Sequence, residues 1–315
     1  MEQKTAEQDA TPDAERAGAP EAERRGATDP ATEAFVEHRN LLFTVAYEML
    51  GSAADAEDVL QETWLRWKGV ELAEIRDRRA YLVRIVTRQA LTRLRALGRR
   101  RESYVGPWLP EPLLTTPDVA EDVELADSVS IAMLLVLETL GPTERAVFVL
   151  REVFDLGYDE IAEAVGKTAA AVRQIAHRAR AHVAARRPRE AVSAVETRAA
   201  VEAFRRATET GDLQRLLDVL APDVVLLTDG GGVVRAVLEP ITGVDAVTAL
   251  LTRIPDTVVI EPAEVNGRPA LLLRVGGEVD SVIGVQVRDG RIQGLYVVRN
   301  PEKLSAIGRE TTLRR

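Results

Sequence analysis

Hydrophobic residues recur at helical spacing over three segments near the start of the chain, residues 33–50, 53–69 and 77–98. Gly51 is a C-terminal signal for the first segment, and Ser52 can cap the second. On a helical wheel of the second segment, Leu60, Trp64 and Trp67 share one face, which is typical of a core. The pattern therefore predicts a helical unit over this part of the chain.

A second helical unit is predicted over residues 128–184. Its apolar segments cover 128–140 and 143–154, followed by a short helix at 158–166 that ends at Gly166. Thr168 then caps a longer helix, in which Val172, Ile175, Ala176, Ala179 and Val183 fall on one face. A short helix, a glycine turn and a longer helix are typical of a helix-turn-helix.

After Pro188 the pattern changes to two helices followed by short segments rich in β-branched residues. The predicted strands include 223–229, 233–239, 258–265, 270–275, 281–287 and 292–298. Asn266-Gly267 and Asp289-Gly290 are strong hairpin signals, and a helical stretch at 243–253 interrupts the strands. Helices followed by an antiparallel sheet predict an α+β domain.

Charge is distributed in blocks that the net charge of −9 conceals. Residues 84–101 hold seven arginines and no acid, residues 109–127 hold six acids and no base, and residues 168–189 hold six arginines and no acid. Because a solvated helix face usually mixes both signs, two all-basic blocks favour a polyanion as partner. An ordinary soluble surface is the alternative interpretation of each block taken alone.

Three helix faces carry the candidate chemistry. Arg84, Arg88, Arg95 and Arg99 form one stripe, which can follow a nucleic-acid backbone. Small residues alternating with long donors suit a helix in the major groove, and this pattern covers Ala170, Arg173, Gln174 and His177, with Arg178 at the edge. The third face presents Leu65 among Asp58, Gln61 and Glu62, which is typical of a docking surface, although a single exposed leucine is also common.

Composition limits the other classes of site. The chain has no cysteine, its three histidines are scattered, and no metal-ligand spacing occurs, so neither a metal nor a cofactor is predicted. The apolar runs are far shorter than a membrane span, the N-terminus lacks the apolar core of a signal peptide, and a cytoplasmic location is expected. Residues 1–32 are polar and rich in helix breakers, which predicts disorder.

By these residues the chain resembles a known family. "DAEDVLQETWLRW" (55–67) and "LGPTERAVFVLREVFDLGYDEIAEAVGKTAAAVRQIAHRARAHV" (140–183) resemble regions 2.2 and 4 of sigma factors of the extracytoplasmic function (ECF) type. "WLPEP" (108–112), "DGGG" (229–232) and "NPEKL" (300–304) resemble marks of the subgroup with a C-terminal SnoaL-like, NTF2-like domain. Val233 stands where that subgroup would have lysine.

The resemblance implies a multidomain fold with two all-α sigma domains and a C-terminal α+β NTF2-like cone domain. The expected boundaries are a disordered tail at 1–32, region 2 at 33–102, an acidic linker at 103–127, region 4 at 128–188, the C-terminal domain at 193–307 and a flexible tail at 308–315.

The implied function is transcription initiation with core RNA polymerase, through its β′ clamp helices and β flap, at promoter DNA. The polymerase contact would involve Asp58, Gln61, Glu62 and Leu65. Arg84, Arg88, Arg95 and Arg99 would hold the −10 element, and region 4 would read the −35 element with Thr168, Ala170, Arg173, Gln174, His177 and Arg178.

The C-terminal domain is expected to regulate this activity in cis, with the domain body needed for activity and the tail after Asn300 acting as a brake. The expected contacts between domains are made by Trp108, Pro110, Asp229, Gly230, Gly231, Asn300, Pro301 and Leu304. Whether the domain also binds a small ligand stays open at this point.

Two other functions are compatible with parts of the sequence. A ligand-sensing helix-turn-helix regulator would explain one DNA-binding module but not the second arginine stripe. An enzyme like the polyketide cyclases with SnoaL-like folds would need acid–base residues, yet residues 190–315 contain no histidine and no cysteine. Its candidate carboxylates are Asp223, Asp229, Glu239, Glu261 and Glu278.

Overall fold

The structure is a computed structural model and describes residues 29–101, 103–186 and 193–315. The predicted disordered tail falls mainly on residues 1–28, which lie outside the described residues. The first helix begins slightly earlier than predicted because Pro30 stands in its first turn, where the fixed φ of proline and its missing N–H are favourable.

Three long helices form the first helical unit, as the apolar spacing predicts. They are α1 (Pro30–Leu50), α2 (Ala53–Trp67) and α3 (Arg78–Arg101), with a 3-10 turn at Leu72–Glu74 between the last two. The Ser52 side chain caps α2 by accepting a hydrogen bond from Asp55 N. Trp67 is fully buried and donates its indole N–H to Ala31 O at 2.7 Å, so the ring fixes the start of α1 against the end of α2.

Six further helices form the linker and the second helical unit. They are α4 (Pro117–Glu121), α5 (Val123–Ser128), α6 (Ile131–Glu138), α7 (Pro142–Phe148), α8 (Tyr158–Val165) and α9 (Ala169–Ala184). The segment predicted as one helix over 143–154 changes to a π-helical turn at Val149–Val153. All five predicted core positions of α9 are buried, and α8, Gly166 and α9 form the predicted helix-turn-helix.

The C-terminal domain combines four helices with one six-stranded sheet. In chain order its elements are α10 (Ala194–Thr210), α11 (Leu213–Val219), β1 (Leu220–Asp229), β2 (Ile241–Thr242), α12 (Val244–Leu251), β3 (Val259–Val265), β4 (Arg268–Val275), β5 (Glu278–Arg288), β6 (Arg291–Val298) and α13 (Pro301–Leu304). The strand order is β2-β1-β6-β5-β4-β3, and β1 pairs with β6 in parallel, so the sheet is mixed rather than wholly antiparallel.

The strand predicted at 233–239 is wrong, because this segment forms a loop. Thr228 Oγ1 accepts from Val237 N and donates to Val237 O, both at 2.8 Å. One side chain thus satisfies backbone groups that a strand would pair in a ladder.

Both faces of the sheet are covered. One face packs on α10, α11 and α12 around Phe204, Leu226 and Ile283. On the other face Leu109 of the linker and Ile131 of α6 join Leu272, Tyr296 and Leu304. The C-terminal domain therefore shares a core with the linker and with α6 of the second helical unit.

The linker also extends the sheet at its β3 edge. Leu114 forms an antiparallel bridge with Val265, with Thr115 N donating to Glu264 O at 3.0 Å and Asn266 N donating to Leu113 O at 2.8 Å. Thr311 in turn pairs with Thr115 in parallel. The sequence predicts a flexible tail over 308–315, whereas in the structure Leu313 is 2% exposed within the core of the helical units.

Candidate functional site

Helix α9 presents the face that the sequence assigns to promoter DNA. Arg173, Gln174, His177 and Arg178 are all exposed, as is Ala170. The Arg173 guanidinium lies over the Tyr158 ring at 5.4 Å, which orients it, and Arg178 is 3.7 Å from Glu144 Oε1. Thr168 has a structural role, because its hydroxyl caps α9 by accepting from Ala171 N.

Two of the four arginines in the α3 stripe are bound by α8. Arg84 Nη1 pairs with Glu163 Oε2 at 3.0 Å, and Arg88 Nη2 donates to Glu163 O at 2.7 Å. Glu163 belongs to α8, so the stripe is held against the helix-turn-helix unit. Arg95 is exposed, and the side chain of Arg99 lies outside the described part of the chain.

The predicted docking patch on α2 is outward-facing. Gln61 and Glu62 are exposed, and the Leu65 side chain is 71% exposed. Asp58 has a partner within the chain, because its Oδ2 accepts from Arg93 Nη2 at 3.0 Å. Arg93 also donates to Asp55, so α3 neutralises one edge of the patch.

Asp229 is the buried anchor of the contacts between the linker and the C-terminal domain. Its Oδ2 accepts from Lys303 Nζ at 2.7 Å and from Leu109 N at 2.8 Å. Its Oδ1 accepts from the Tyr104 hydroxyl at 2.7 Å and from Gly231 N at 3.0 Å. With four donors around it, the carboxylate is satisfied although it is fully buried.

The residues of the "NPEKL" segment complete this anchor. Asn300 is buried and donates from Nδ2 to the Tyr104 hydroxyl at 3.1 Å. A Cβ on Gly231 would lie 2.3 Å from that same Nδ2, so only glycine allows the approach. Gly230 and Leu304 are buried, Pro301 is exposed in the first turn of α13, and Val233 is exposed. The positive charge beside Asp229 comes from Lys303 of α13, since Val233 follows the glycines.

The "WLPEP" segment lies between region 33–101 and the C-terminal domain. The Trp108 ring packs over Gly51, and Lys303 Nζ lies over this ring, 4.3 Å from its centroid. Pro110 is buried. Glu111 Oε2 accepts from Ala53 N at 2.8 Å and from Ser52 Oγ at 3.0 Å, so the linker supplies a carboxylate to the N-terminus of α2.

Comparisons with known proteins give the family. Residues 34–100 match the Sigma-70 region 2 family and residues 130–183 match the Sigma-70 region 4 family. The chain is 34% identical to the ECF RNA polymerase sigma factor SigJ of Mycobacterium tuberculosis over 87% of its own length and 92% of that protein. It belongs to the ECF RNA polymerase sigma factor family.

Other relatives agree with this assignment. The chain is 34% identical to the probable ECF sigma factor SigI of Mycobacterium tuberculosis, over 90% of its own length and 97% of that protein. The crystal structure of Mycobacterium tuberculosis SigJ matches with a TM-score of 0.70 and 31% identity, covering 88% of this chain and 99% of that one. The predicted fold class, two helical sigma domains with a C-terminal α+β domain, is confirmed.

Sigma factor function is therefore established for the family, and the helix-turn-helix regulator is not favoured, because region 2 has no place in it. Among the residues that the structure describes, no helix is both long and apolar enough to cross a bilayer.

One contact of this ECF sigma factor was not anticipated as functional. The Asn266-Gly267 turn, predicted only as a hairpin, inserts where region 2, the linker and the start of region 4 meet. Asn266 Nδ2 donates to the Tyr47 hydroxyl at 2.6 Å and to Val129 O at 2.8 Å, and its Oδ1 accepts from Leu113 N at 3.0 Å. The dipeptide signal identified the turn, but nothing local indicated its partners.

The C-terminal residues of the sigma factor hold the same units together. Arg314 N donates to Thr44 Oγ1 of region 2 at 3.1 Å, and Arg315 Nε pairs with Asp122 Oδ2 of the linker at 2.9 Å. The tail thus joins the linker to α1.

Proposed function

We propose that this sigma factor directs core RNA polymerase to promoters, with region 4 reading the −35 element and region 2 holding the −10 element. The outward face of α9 supports the first assignment, since Arg173, Gln174 and His177 are exposed beside small residues. The exposed Gln61, Glu62 and Leu65 support polymerase docking through α2.

We further propose that the arrangement described above is a closed form that cannot occupy both promoter elements. The −10 and −35 elements are about 25 base pairs apart, or about 85 Å at about 3.4 Å per base pair. Glu163, which holds Arg84 and Arg88, lies on the helix next to α9, and packed helices are about 8–10 Å apart. The observation that carries this proposal is the pairing of the region 2 stripe with region 4.

In this proposal the C-terminal domain regulates opening in cis. It reaches region 2 through Asn266 and the tail, the linker through Asp229 and the β3 edge, and region 4 through Ile131. The tail after Asn300 acts as a brake, because it adds Lys303, Leu313 and Arg315 to the closed contacts. The domain body contributes to activity by positioning the linker.

We also propose that the C-terminal domain catalyses no reaction. Of its candidate carboxylates, Asp223, Glu239 and Glu278 are exposed, Glu261 pairs with Arg274 at 2.7 Å, and Asp229 is engaged by four donors. A general acid or base needs a carboxyl group that is available to a substrate, and none of these five combines burial with availability.

Run-off transcription tests the main proposal. Full-length protein with purified core polymerase should give defined transcripts from genomic fragments, whereas core polymerase alone should not. Tight, sequence-specific binding of duplex DNA by the protein alone, without any transcript when polymerase is added, would instead support a stand-alone regulator.

A further inference from the structure

Glu48 is a fully buried carboxyl group at the place where regions 2 and 4 meet. It lies on α1, its Oε1 is 2.8 Å from Ser128 Oγ at the end of α5, and its backbone O accepts from Arg145 Nε of α7 at 2.9 Å. Its second oxygen, Oε2, has no hydrogen-bond partner. These contacts come from α5 and α7, so opening of the closed form would remove them.

The hydrogen bonds around Glu48 fit a neutral carboxyl group better than a carboxylate. Ser128 has one hydroxyl proton and lies 2.9 Å from Leu125 O, which can only accept. If Glu48 is protonated, it donates to Ser128 Oγ and Ser128 donates to Leu125 O, so each proton has an acceptor. If Glu48 is ionised, a buried charge has at most one donor and one bare oxygen, which is unfavourable.

The surrounding charges compensate an ionised Glu48 only in part. Arg145 of α7 is the nearest cation, but its Nη1 binds Glu138 of α6 and its Nη2 has no partner. Tyr47 on the same helix donates to the backbone of Glu111, whose carboxylate binds the N-terminus of α2. Arg315 from the tail pairs with Asp122 and Glu124 instead.

Burial shifts the pKa values of Glu48 and Arg145 in opposite directions. It raises the pKa of Glu48 to about 8 from 4.5, although Ser128 and Arg145 act in the opposite sense. Burial also lowers the pKa of Arg145 to about 9, so Arg145 stays charged at neutral pH.

We propose that Glu48 holds a proton in the closed form and releases it when region 4 leaves region 2, so that opening for polymerase binding is linked to pH. This inference rests on the closed form of the proposed function. It identifies a carboxyl group outside the anchor segments as the group that makes the regulation sensitive to acid.

The direction of the pH dependence follows from the protonation of Glu48 in the closed and open forms. Burial raises the pKa of Glu48 to about 8 in the closed form, and exposure to water in an open form would return the pKa toward its ordinary value of 4.5. The closed form binds more protons between these values, so its extra stability is complete below about 4.5 and is lost as the pH rises through about 8. In this window the open-to-closed ratio rises by up to about tenfold per pH unit. Above about pH 9 the closed form loses the proton of Arg145, so opening takes up a proton there. A further rise in pH then favours the closed form.

A fluorescence energy-transfer experiment can test the proposal, because the chain contains no cysteine to interfere with labelling. Dyes on Val36→Cys in region 2 and Ala185→Cys after α9 report opening, and both positions are exposed. Between pH 5.5 and 8 the wild type should open progressively and bind core polymerase more tightly. Glu48→Gln, which keeps a neutral side chain of the same shape, should stay closed and lose most of this slope.

Glu163→Gln is the matched control, since Glu163 is a carboxylate at the same contact but is exposed. It should change the level of opening and keep the slope. An unchanged slope in Glu48→Gln, or a Glu48→Gln protein that is already open at pH 6, would overturn the proton linkage.

A second measurement does not depend on how well the variant folds. Calorimetric titration of the wild type into core polymerase at pH 7, in two buffers of different ionisation enthalpy, should show release of about one proton per complex. Binding that opens the molecule without proton release contradicts this inference alone. Binding with unchanged energy transfer contradicts the closed form on which it rests.

Discussion

Replacing Asn266 with glycine should open the closed form without disturbing the hairpin that carries it. Asn266 has a φ of +54°, which glycine adopts at no steric cost, so the turn itself is preserved. The substitution removes only the side chain, which is 1% exposed and makes three hydrogen bonds to Tyr47, Val129 and Leu113.

The magnitude follows from these bonds. A hydrogen bond contributes about 0.5–1.5 kcal/mol net, so three of them give about 2–4 kcal/mol in favour of the closed form. At about 1.4 kcal/mol per decade, Asn266→Gly should raise the open-to-closed ratio by about 30- to 700-fold. Apparent affinity for core polymerase should rise with the population of the open form.

Energy transfer between dyes on Val36→Cys and Val195→Cys measures the change, since both side chains are exposed, one in region 2 and one in the C-terminal domain. Asp289→Gly is the matched control, because Asp289 occupies the same position of a second hairpin with a φ of +50° but is exposed. If Asn266→Gly and Asp289→Gly leave energy transfer and polymerase affinity equally unchanged, Asn266 does not hold the closed form.

Three further predictions concern the other surfaces. Leu65→Asp combined with Gln61→Ala should abolish association with core polymerase while helicity is unchanged, and normal co-purification would contradict docking through α2. Arg173→Ala should cost about 1–3 kcal/mol and relax preference at one −35 position, whereas equal weakening on every sequence would make it a phosphate contact. A chain ending at Arg299 should transcribe more than full-length protein because it lacks Lys303 and Leu313, and a chain ending at Val195 should transcribe less; equal activity of all three would contradict regulation in cis.

Local patterns predicted the features that depend on neighbouring residues. The period of apolar residues in α9 identified its five core positions, and both Asn-Gly and Asp-Gly signals mark real hairpins. Such features need only the 3.6-residue period of a helix or the left-handed φ of a turn. The strand predicted at 233–239 was wrong because a β-branched run looks the same whether or not a partner strand is available.

Long-range partners could not be read from the sequence. Asn266 and Asp289 carry almost identical local signals, yet only Asn266 reaches Tyr47, 219 residues away. Arg84 and Arg88 lie in a block without acids, and their partner Glu163 is more than 70 residues further on. The assignment of all four stripe arginines to DNA remains a prediction, because in this structure two of them are occupied by the protein itself.

The pairing of the linker with β3 has a consequence for the solubility of the opened protein. An opened form that also released Leu113–Thr115 would bare this sheet edge, and bare edges can template aggregation. Glu264 O and Asn266 N are the backbone groups on the open side of β3 that bind the linker. Because the hydrogen-bonding direction of the backbone alternates along a strand, the backbone of Pro262 faces the same open side. Because proline has no N–H, a foreign strand finds no donor there and can pair with only a few residues. The molecule can therefore release its linker without exposing a long edge to other chains.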